Sequence, residues 1–476
     1  MKRLLKNSLT ITLILFLLAS FFPRSANGQE LNSSSTDIEI TVSDKEQTFL
    51  SPPSDLTAEG AVVIEQNTGK VLFGKHEHLR LYPASTTKIL TALLAVELGD
   101  LDEIIIVGEE IHLAPWDGSK AGLEENERIS LRDLVYGLMI HSGNDAGNTI
   151  AVHLARKVSG KNLPTEEALE YFADMMNKRA KEAGALNSHF VNPHGYHDPD
   201  HYTTAYDLAM IGREALKNDF FREAAATTAM NNYYWSSGEP RFWRSKNKLL
   251  NEKDAEYYPW ATGGKTGYTS AAGHCLVTFA SKDGLDLVAV VLKTDYNMQW
   301  SETKNLLEYG FANYVYHVEV KEDEIIETLP VDNYASDDWG SLAVKVSSAD
   351  WGDVFLKNEV NDITRKIVWD PDVLSEKSTQ DMPRVQAPIA RGQKLGELKV
   401  MLHGEELQSL PLVAVRDVKP KKILDILPGQ PGEGKASGLK WAKLAGLILL
   451  ALIGLRALIL LIYRRRRRHY TIFRMY

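Results

Sequence analysis

The amino-acid sequence predicts an α+β protein that carries a second, all-β domain and one membrane-spanning helix. Two short strand-like runs precede a set of helical segments and two longer strand-like runs follow them, which favours an antiparallel sheet with helices packed against it rather than a doubly wound parallel sheet. From residue 318 onward the pattern changes to short strand-like runs separated by turn signals. Residues 444–463 form a 20-residue apolar stretch, which matches the roughly 20 residues that a helix needs to cross a bilayer.

The charges of the chain are unevenly distributed. Its 476 residues carry a formal net charge of −9, yet residues 1–28 hold four basic and no acidic side chains, and residues 444–476 hold seven basic and no acidic ones. The segment between them therefore has 43 basic and 63 acidic side chains, a formal charge of −20. This acidic surface argues against a nucleic-acid partner, because binding phosphates requires basic side chains. The one cysteine, Cys275, excludes an intramolecular disulfide.

The first 53 residues are predicted to contain no folded domain. Residues 1–28 have the pattern of a secretory signal peptide, in which a basic start and an apolar stretch precede the small-x-small site Ala26-Asn27-Gly28. An uncleaved membrane anchor is the alternative interpretation of this segment. Residues 29–53 are rich in Ser, Thr, Asp and Glu and predict an exposed linker.

The first folded domain is predicted to span residues 54–317. It opens with two strand-like runs around a turn that contains Asn and Gly, which predicts a hairpin. Ser130 and Asp133 form a capping box at the start of a helix. The other predicted elements are strands over Ala61–Glu65, Lys70–Gly74, Cys275–Ala280 and Leu285–Leu292, and helices over Ser85–Leu98, Asp145–Val158 and Thr165–Ala183.

The remainder of the chain is predicted to be an all-β domain attached to a membrane. The β domain spans residues 318–418, and a juxtamembrane stalk rich in Lys, Pro and Gly spans 419–443. The transmembrane helix over 444–463 includes Arg456, whose insertion costs about 2.5–3.5 kcal/mol, an amount that the 13 Leu or Ile residues of the span offset. The arginine run in the tail, residues 464–476, predicts a cytoplasmic tail, so the folded domains are expected on the outer side of the cell membrane.

Three short motifs of chemically active residues follow one another along the chain. Ser-x-x-Lys alone is a weak signal, because it occurs at Ser245, Ser301 and Ser437 as well as at Ser85, whereas Lys-Thr-Gly occurs once. The three motifs are Ser85-Thr-Thr-Lys88, Ser142-Gly-Asn144 and Lys265-Thr-Gly267.

The first motif has the spacing of a nucleophile and its base. Ser85 and Lys88 are three residues apart at a predicted helix start, so their side chains share one face. A lysine can take a proton from a serine only if burial or a second cation keeps its amine neutral, and Lys265 could be that cation. The backbone N–H of Ser85 lies in the first helical turn, where an unpaired donor can stabilise an oxyanion.

In this order, the three motifs resemble those of the serine penicillin-recognising enzymes, and most closely those of the low-molecular-mass D-alanyl-D-alanine carboxypeptidases. The resemblance covers roughly residues 55–418 and implies a β-lactamase/transpeptidase-like catalytic domain, an antiparallel sheet with a helical cluster, followed by that family's β domain. The segments that carry it are Tyr82–Lys88, His141–Ala146, Phe190–Gly195, Thr204–Asp207, Gly263–Thr269, Ala272–Leu276, Pro388–Gly392, Leu395–Val400 and Leu410–Ala414.

The resemblance also implies a role for each motif residue. Ser85 would attack the carbonyl between two terminal D-alanines, Lys88 would take its proton, and Ser142 would relay a proton to the departing amine. The backbone N–H groups of Ser85 and Tyr268 would bind the oxyanion. The implied substrates are peptidoglycan stem peptides that end in D-Ala-D-Ala, the implied inhibitors are β-lactams, and no metal or cofactor is expected. The implied substrate-binding residues are Asn144, Lys265, Thr266, Gly267 and Tyr268.

Three other functions use similar residues. A class A β-lactamase needs a deacylating glutamate, and Glu166 superficially suggests one; however, Glu170 stands where that family carries Asn, and Ser142-Gly-Asn144 replaces its Ser-Asp-Asn. A non-catalytic scaffold that binds the cell wall is disfavoured because the motif residues are intact. A transpeptidase or endopeptidase would use the same acyl-enzyme, and the motifs do not distinguish it from a carboxypeptidase.

Other chemically active residues have simpler interpretations. Cys275, among Leu276, Val277 and Phe279, is predicted to be a buried apolar residue rather than a reactive thiol. Asp207 is predicted to begin a helix or to orient a neighbour. Four histidines are spaced unlike a compact zinc motif and predict a polar loop near the cleft; they are His189, His194, His197 and His201.

Overall fold

The structure is a computed structural model that describes residues 49–234, 240–422 and 446–456. The predicted signal peptide, most of the predicted linker and stalk, and the predicted basic tail lie outside the described residues.

Only part of the predicted transmembrane helix is described. Residues 446–456 are helical, and the other residues of the predicted span over 444–463 lie outside the described ranges. Within the part of the chain that the structure describes, no helix is both long and apolar enough to cross a membrane.

The first domain has the predicted α+β architecture. Its central sheet has the strand order β2-β1-β9-β8-β7, and each neighbouring pair is antiparallel. In chain order the elements are β1 (Gly60–Glu65), β2 (Val71–Lys75), α1 (Lys88–Leu98), β3 (Ile104–Ile106), β4 (Arg128–Ser130), α2 (Leu131–Ile140), α3 (Asn144–Ser159), α4 (Thr165–Glu182), α5 (Ala205–Ala215), α6 (Asp219–Ala226), β5 (Ala229–Tyr234), β6 (Pro240–Arg244), β7 (Ala261–Thr269), β8 (Gly273–Lys282), β9 (Leu285–Thr294) and α7 (Met298–Asn313).

Both faces of the central sheet are buried. Along β1, Val62 and Ile64 pack into the core formed with helices α1 to α6, while Ala61 and Val63 pack on the opposite face with α7. This alternation follows from the two-residue period of a strand, and it produces a helical cluster, a sheet and a covering helix in three layers. Helix α1 runs inside the helical cluster, where its residues from Lys88 to Ala95 are all buried.

The start of α1 differs from the prediction. A helix was expected over Ser85–Leu98, but Ala84–Thr87 form a 3₁₀ turn and the α-helix begins at Lys88. Ala84 has a φ of 49°, a left-handed conformation that is costly for a residue other than glycine. The regular helix therefore begins only after the turn that presents Ser85.

The second domain is all-β, as predicted, and it packs against the first through one ribbon. Strands β10 (Tyr314–Val320) and β13 (Trp351–Leu356) pair antiparallel. The buried Val354 of β13 belongs to the same core as α7, and Lys70 donates a hydrogen bond of 2.8 Å to the Val354 carbonyl. The other strands form a six-stranded sheet in the order β14-β16-β17-β12-β11-β15. The elements are β10 (Tyr314–Val320), β11 (Ile325–Asp332), β12 (Ser341–Val346), β13 (Trp351–Leu356), β14 (Ile363–Trp369), β15 (Val385–Gln386), β16 (Lys394–Leu402) and β17 (Glu405–Ala414).

A glycine in the loop before α5 permits a close approach to the 3₁₀ turn. Gly195 has a φ of 79°, and a Cβ added there would lie 1.8 Å from the Ala84 carbonyl oxygen and 2.7 Å from Thr87 Oγ1. A side chain at this position would therefore displace the turn that holds Ser85.

Replacing Gly195 by alanine should lower the free energy of unfolding by about 3 kcal/mol, because left-handed strain adds to a steric overlap. The matched control is Gly392→Ala, since Gly392 has the same φ of 79° and nothing lies within 4 Å of its added Cβ. The control should lose only about 1 kcal/mol. Chemical denaturation of both variants measures the difference, and equal losses would contradict the close approach.

Candidate active site

A cleft of about 670 Å³ lies between the edge strand β7 and the helical cluster. Its walls come from the loops before β4, α3 and α5, from the 3₁₀ turn, from the segment after β6, from the turn after β7 and from the start of α7. The lining residues include Ser85, Asp117, Ser119, Ser142, Asn144, Tyr196, Lys246, Thr266, Gly267 and Tyr268.

The amine of Lys88 lies at the base of the cleft and contacts three oxygen atoms. Its Nζ is 2.9 Å from Ser85 Oγ, 2.7 Å from Asn144 Oδ1 and 2.7 Å from the His194 carbonyl oxygen. The last two atoms can only accept, so they take two N–H groups of the amine. A neutral amine has two N–H groups and one lone pair, and the lone pair is then left for the proton of Ser85.

Burial and neighbouring charge both favour that neutral form. Lys88 is fully buried, and burial together with the positive charges of Lys265 and Lys246 lowers the pKa of its amine well below the ordinary lysine range, while Asp145 acts in the opposite direction. Burial, followed by the charge of Lys246, also lowers the pKa of Lys265 to about 7. Both amines therefore lose a proton more easily than an ordinary lysine, and a proton on Lys265 favours the neutral form of Lys88.

Ser142 lies between the two walls of the cleft. It has a φ of 63° in the turn that joins α2 to α3, and its Oγ accepts a hydrogen bond of 3.0 Å from Lys265. A left-handed conformation at a serine is strained, and such strain persists where surrounding contacts fix it. The Ser142 hydroxyl is consequently held by a lysine on the opposite, sheet side of the cleft.

Asn144 and Asp145 connect this turn to the neighbouring loop. The backbone N–H of Asn144 donates to the Ser119 carbonyl at 2.8 Å, and its side chain binds Lys88. The Asp145 carboxylate accepts hydrogen bonds from the backbone N–H groups of residues 121, 122 and 123. The start of α3 thus fixes both the base of the cleft and the loop that covers it.

The edge strand β7 approaches the nucleophile closely at a glycine. A Cβ added at Gly267 would lie 2.9 Å from the Pro83 carbonyl oxygen and 3.1 Å from the backbone nitrogen of Ser85. The Lys265 amine also donates to the Thr266 carbonyl at 3.0 Å, and the Tyr268 side chain is exposed. The structure thus brings all eight predicted site residues to one cleft or its immediate wall.

Three charged residues of the site, Lys246, Asp145 and Asp117, and one backbone group were not predicted from the sequence. Lys246 lines the cleft, and its Nζ lies 3.3 Å from Ser119 Oγ. No motif marks it, because in Ser245-Lys-Asn-Lys248 the lysine of the Ser-x-x-Lys pattern is Lys248. Asp145 holds the loop over the site, and nothing in its spacing distinguishes it. The His194 carbonyl, which binds Lys88, belongs to the backbone and leaves no signal in a side-chain motif.

The remaining candidates have structural roles. Cys275 is buried, and burial raises the pKa of its thiol to about 12, so the thiol stays protonated, as its predicted core position implies. Asp207 lies in the first turn of α5, where its carboxylate accepts from Asn187 N and Ser188 Oγ. The His201 ring contacts Thr87 Oγ1 at 2.9 Å and accepts from the backbone N–H of Val191.

Comparison with known proteins gives a consistent result for both domains. Residues 46–296 match the family described as D-alanyl-D-alanine carboxypeptidase, and residues 320–420 match the family described as penicillin-binding protein 5, C-terminal domain. The D-alanyl-D-alanine carboxypeptidase DacF of Bacillus subtilis is 31% identical over 381 residues, which cover 79% of this chain and 90% of that one.

Solved structures show the same similarity. Penicillin-binding protein 5 from Haemophilus influenzae superposes with a TM-score of 0.59 at 27% identity, over 78% of this chain and 99% of that one. The Streptomyces K15 DD-transpeptidase superposes with a TM-score of 0.50 at 29% identity, over 55% of this chain and 100% of that one.

The positive charge of Lys246 should contribute to the pH dependence of the site, in addition to the larger effects of burial and Lys265. Activity is expected to rise with pH as Lys88 loses its proton, and burial followed by the cations at Lys265 and Lys246 lowers the pKa of Lys88. Lys246→Met should therefore move the rising limb of kcat/KM to higher pH. The matched control is Lys253→Met, which removes an exposed lysine that does not line the cleft. A pH profile that stays in place in Lys246→Met would contradict this coupling.

Proposed function

The chain belongs to the D-alanyl-D-alanine carboxypeptidase family, and we propose that it removes the terminal D-alanine from peptidoglycan stem pentapeptides through an acyl-enzyme on Ser85. It is a serine-type D-Ala-D-Ala carboxypeptidase, a hydrolase and penicillin-binding protein homologue. The observation that carries the residue assignment is the geometry of Lys88, whose two fixed acceptors leave its lone pair for Ser85.

Acylation begins at Ser85. Its Oγ attacks the carbonyl carbon between the two D-alanines as its proton passes to the neutral amine of Lys88. The backbone N–H groups of Ser85 and Tyr268 receive the developing oxyanion, an assignment supported by the close approach of β7 at Gly267. The intermediate then collapses, the C–N bond breaks, and the terminal D-alanine leaves once its amine has gained a proton through Ser142.

The terminal carboxylate of the substrate needs positive charge and hydroxyl donors. Thr266 lines the cleft and supplies a hydroxyl, while Lys265 donates a hydrogen bond to Ser142 in the cleft wall. Lys246 adds a second positively charged side chain to the wall.

Asn144 holds Lys88 and lines the cleft, where it is available to the substrate amide. Hydrolysis is completed when a water attacks the ester, releases the shortened peptide and returns the proton to Ser85.

The alternative functions find less support. In the β-lactamase alternative Glu166 would activate the deacylating water, but Glu166 is exposed in the first turn of α4 and does not line the cleft. The scaffold alternative requires no particular arrangement of these side chains. Lys88 nevertheless contacts Ser85 at the base of the cleft, and Lys265 donates a hydrogen bond to Ser142 in its wall.

Replacing Ser85 by alanine should lower D-Ala release from a diacetyl-Lys-D-Ala-D-Ala peptide by about 10³-fold or more, because no acyl-enzyme can form. It should also abolish the covalent adduct that penicillin forms with the wild-type enzyme. Intact-mass spectrometry and an assay of free D-alanine measure the two effects.

The matched control is Ser301→Ala, which removes the serine of another Ser-x-x-Lys pattern on α7. It should leave both the adduct and D-Ala release unchanged. Rapid penicillin turnover by the wild type without peptide cleavage would favour the β-lactamase alternative, and a wild type with neither reaction would favour the scaffold.

We also propose that the enzyme is anchored in the cell membrane by residues 444–463, with the two folded domains outside the cytoplasm. The support comes from the sequence: the apolar length of that segment, the arginines of 464–468 and the signal-like pattern of 1–28. The β domain and the stalk together would hold the cleft away from the bilayer.

A chain that ends at residue 443 should therefore leave the membrane fraction, whereas a chain that ends at residue 463 should remain in it after carbonate extraction. The second truncation is the control, because it removes only the basic tail. Sedimentation followed by immunodetection measures both. Retention of the shorter chain in the membrane would contradict the anchor.

A further inference from the structure

The reaction proposed for the cleft leaves one of its charged groups without a use. Among the described residues that line the cleft, Asp117 alone carries a carboxylate. An anion beside the binding site would repel the terminal carboxylate of the substrate, so it does not serve that end of the peptide. A cationic group elsewhere on the substrate would be attracted to it.

The position of Asp117 is fixed relative to the reacting atoms. The next two residues in its loop contact Asn144, since the Ser119 carbonyl accepts from Asn144 N, and a Cβ added at Gly118 would lie 2.3 Å from Asn144 Nδ2. Asn144 in turn holds the Lys88 amine. The Asp117 carboxylate therefore stands on a loop whose backbone is packed against the catalytic residues.

A tyrosine from the opposite loop orients this carboxylate. Tyr196 donates a hydrogen bond of 3.1 Å from its hydroxyl to Asp117 Oδ1, and it follows the loop segment whose His194 carbonyl binds Lys88. The Asp117 carboxylate raises the pKa of the Tyr196 hydroxyl, which keeps it protonated as a donor. Within the described residues, Asp117 Oδ2 has no hydrogen-bond partner and is available to a ligand.

The geometry of the sheet indicates which part of the substrate reaches this position. Strand β7 is a sheet edge that borders the cleft, and an extended peptide can pair with such an edge. The residue before the D-Ala-D-Ala unit then lies about 7 Å along the chain from the terminal residue. In peptidoglycan stem peptides that third residue is commonly a diamino acid, whose long side chain ends in an ammonium group.

We propose that Asp117, oriented by Tyr196, is the specificity-determining residue that binds the side-chain ammonium of the third stem-peptide residue. The inference rests on the proposed function of the same cleft. The ion pair forms across the cleft, between a substrate lying on β7 and the loop on the helical side. It selects substrates with a free side-chain amine, and it takes no part in the bond changes at Ser85.

Two peptides and the full-length enzyme in detergent test this proposal. They are Nα-acetyl-Lys-D-Ala-D-Ala and the same peptide with norleucine in place of lysine, which keeps the alkyl chain and removes the ammonium. The wild type should favour the lysine peptide about 3- to 10-fold in kcat/KM, the size expected of a solvent-accessible ion pair that becomes partly desolvated. Added salt should reduce the preference.

Asp117→Asn should remove the preference by lowering kcat/KM for the lysine peptide, while the norleucine peptide changes less than about twofold. Tyr196→Phe should weaken the preference, because it removes the hydroxyl that orients the carboxylate.

The matched control is Asp283→Asn, which removes a carboxylate from the turn between β8 and β9. Asp283 does not line the cleft, and asparagine tolerates its φ of 52°. This control should keep the full preference.

The outcomes separate this proposal from the function on which it rests. An equal loss for both peptides in Asp117→Asn would assign Asp117 to the support of its loop and overturn the proposal, as would a wild type without preference. If the wild type released no D-alanine from either peptide, the proposed carboxypeptidase activity itself would be wrong.

Discussion

The structure of the site depends on one buried amine. Lys88 has two fixed acceptors, Asn144 Oδ1 and the His194 carbonyl, and a third contact to Ser85 Oγ. Burying a charged amine is unfavourable unless it is paired, so a fully buried lysine without a carboxylate in direct contact tends to lose its proton. The same desolvation that makes Lys88 unfavourable for stability makes it a base.

Other features of the fold follow from holding that amine in place. Gly195 lets the loop of His194 approach the 3₁₀ turn, and Gly267 lets β7 approach the backbone of Ser85. Two residues other than glycine, Ala84 and Ser142, have left-handed conformations on either side of the amine. Contacts from other segments of the chain hold the backbone at these two positions: the Gly195 loop packs on Ala84, and Lys265 bonds Ser142.

The sequence predicts the parts of the site that depend on local spacing. Ser85 and Lys88 are one turn apart, and Ser130 caps α2 through the backbone N–H of Asp133, because these relations follow from helical geometry over three residues. It did not predict Lys246, Asp117 or the His194 carbonyl. These three groups belong to loops, whose sequences show no helical or strand periodicity from which their positions could be predicted. They meet only because the helical cluster packs against β7.

The central claim is that the Lys88 amine is neutral when the enzyme works. The most direct measurement is an NMR titration of the lysine side chains in enzyme labelled with ¹³C at Cε, with the Lys88 signal assigned by its absence in Lys88→Arg. We expect a titration midpoint well below the ordinary lysine range, caused first by burial and then by the charges of Lys265 and Lys246. A midpoint in the ordinary range would show that Lys88 is charged at working pH and would contradict its role as the base.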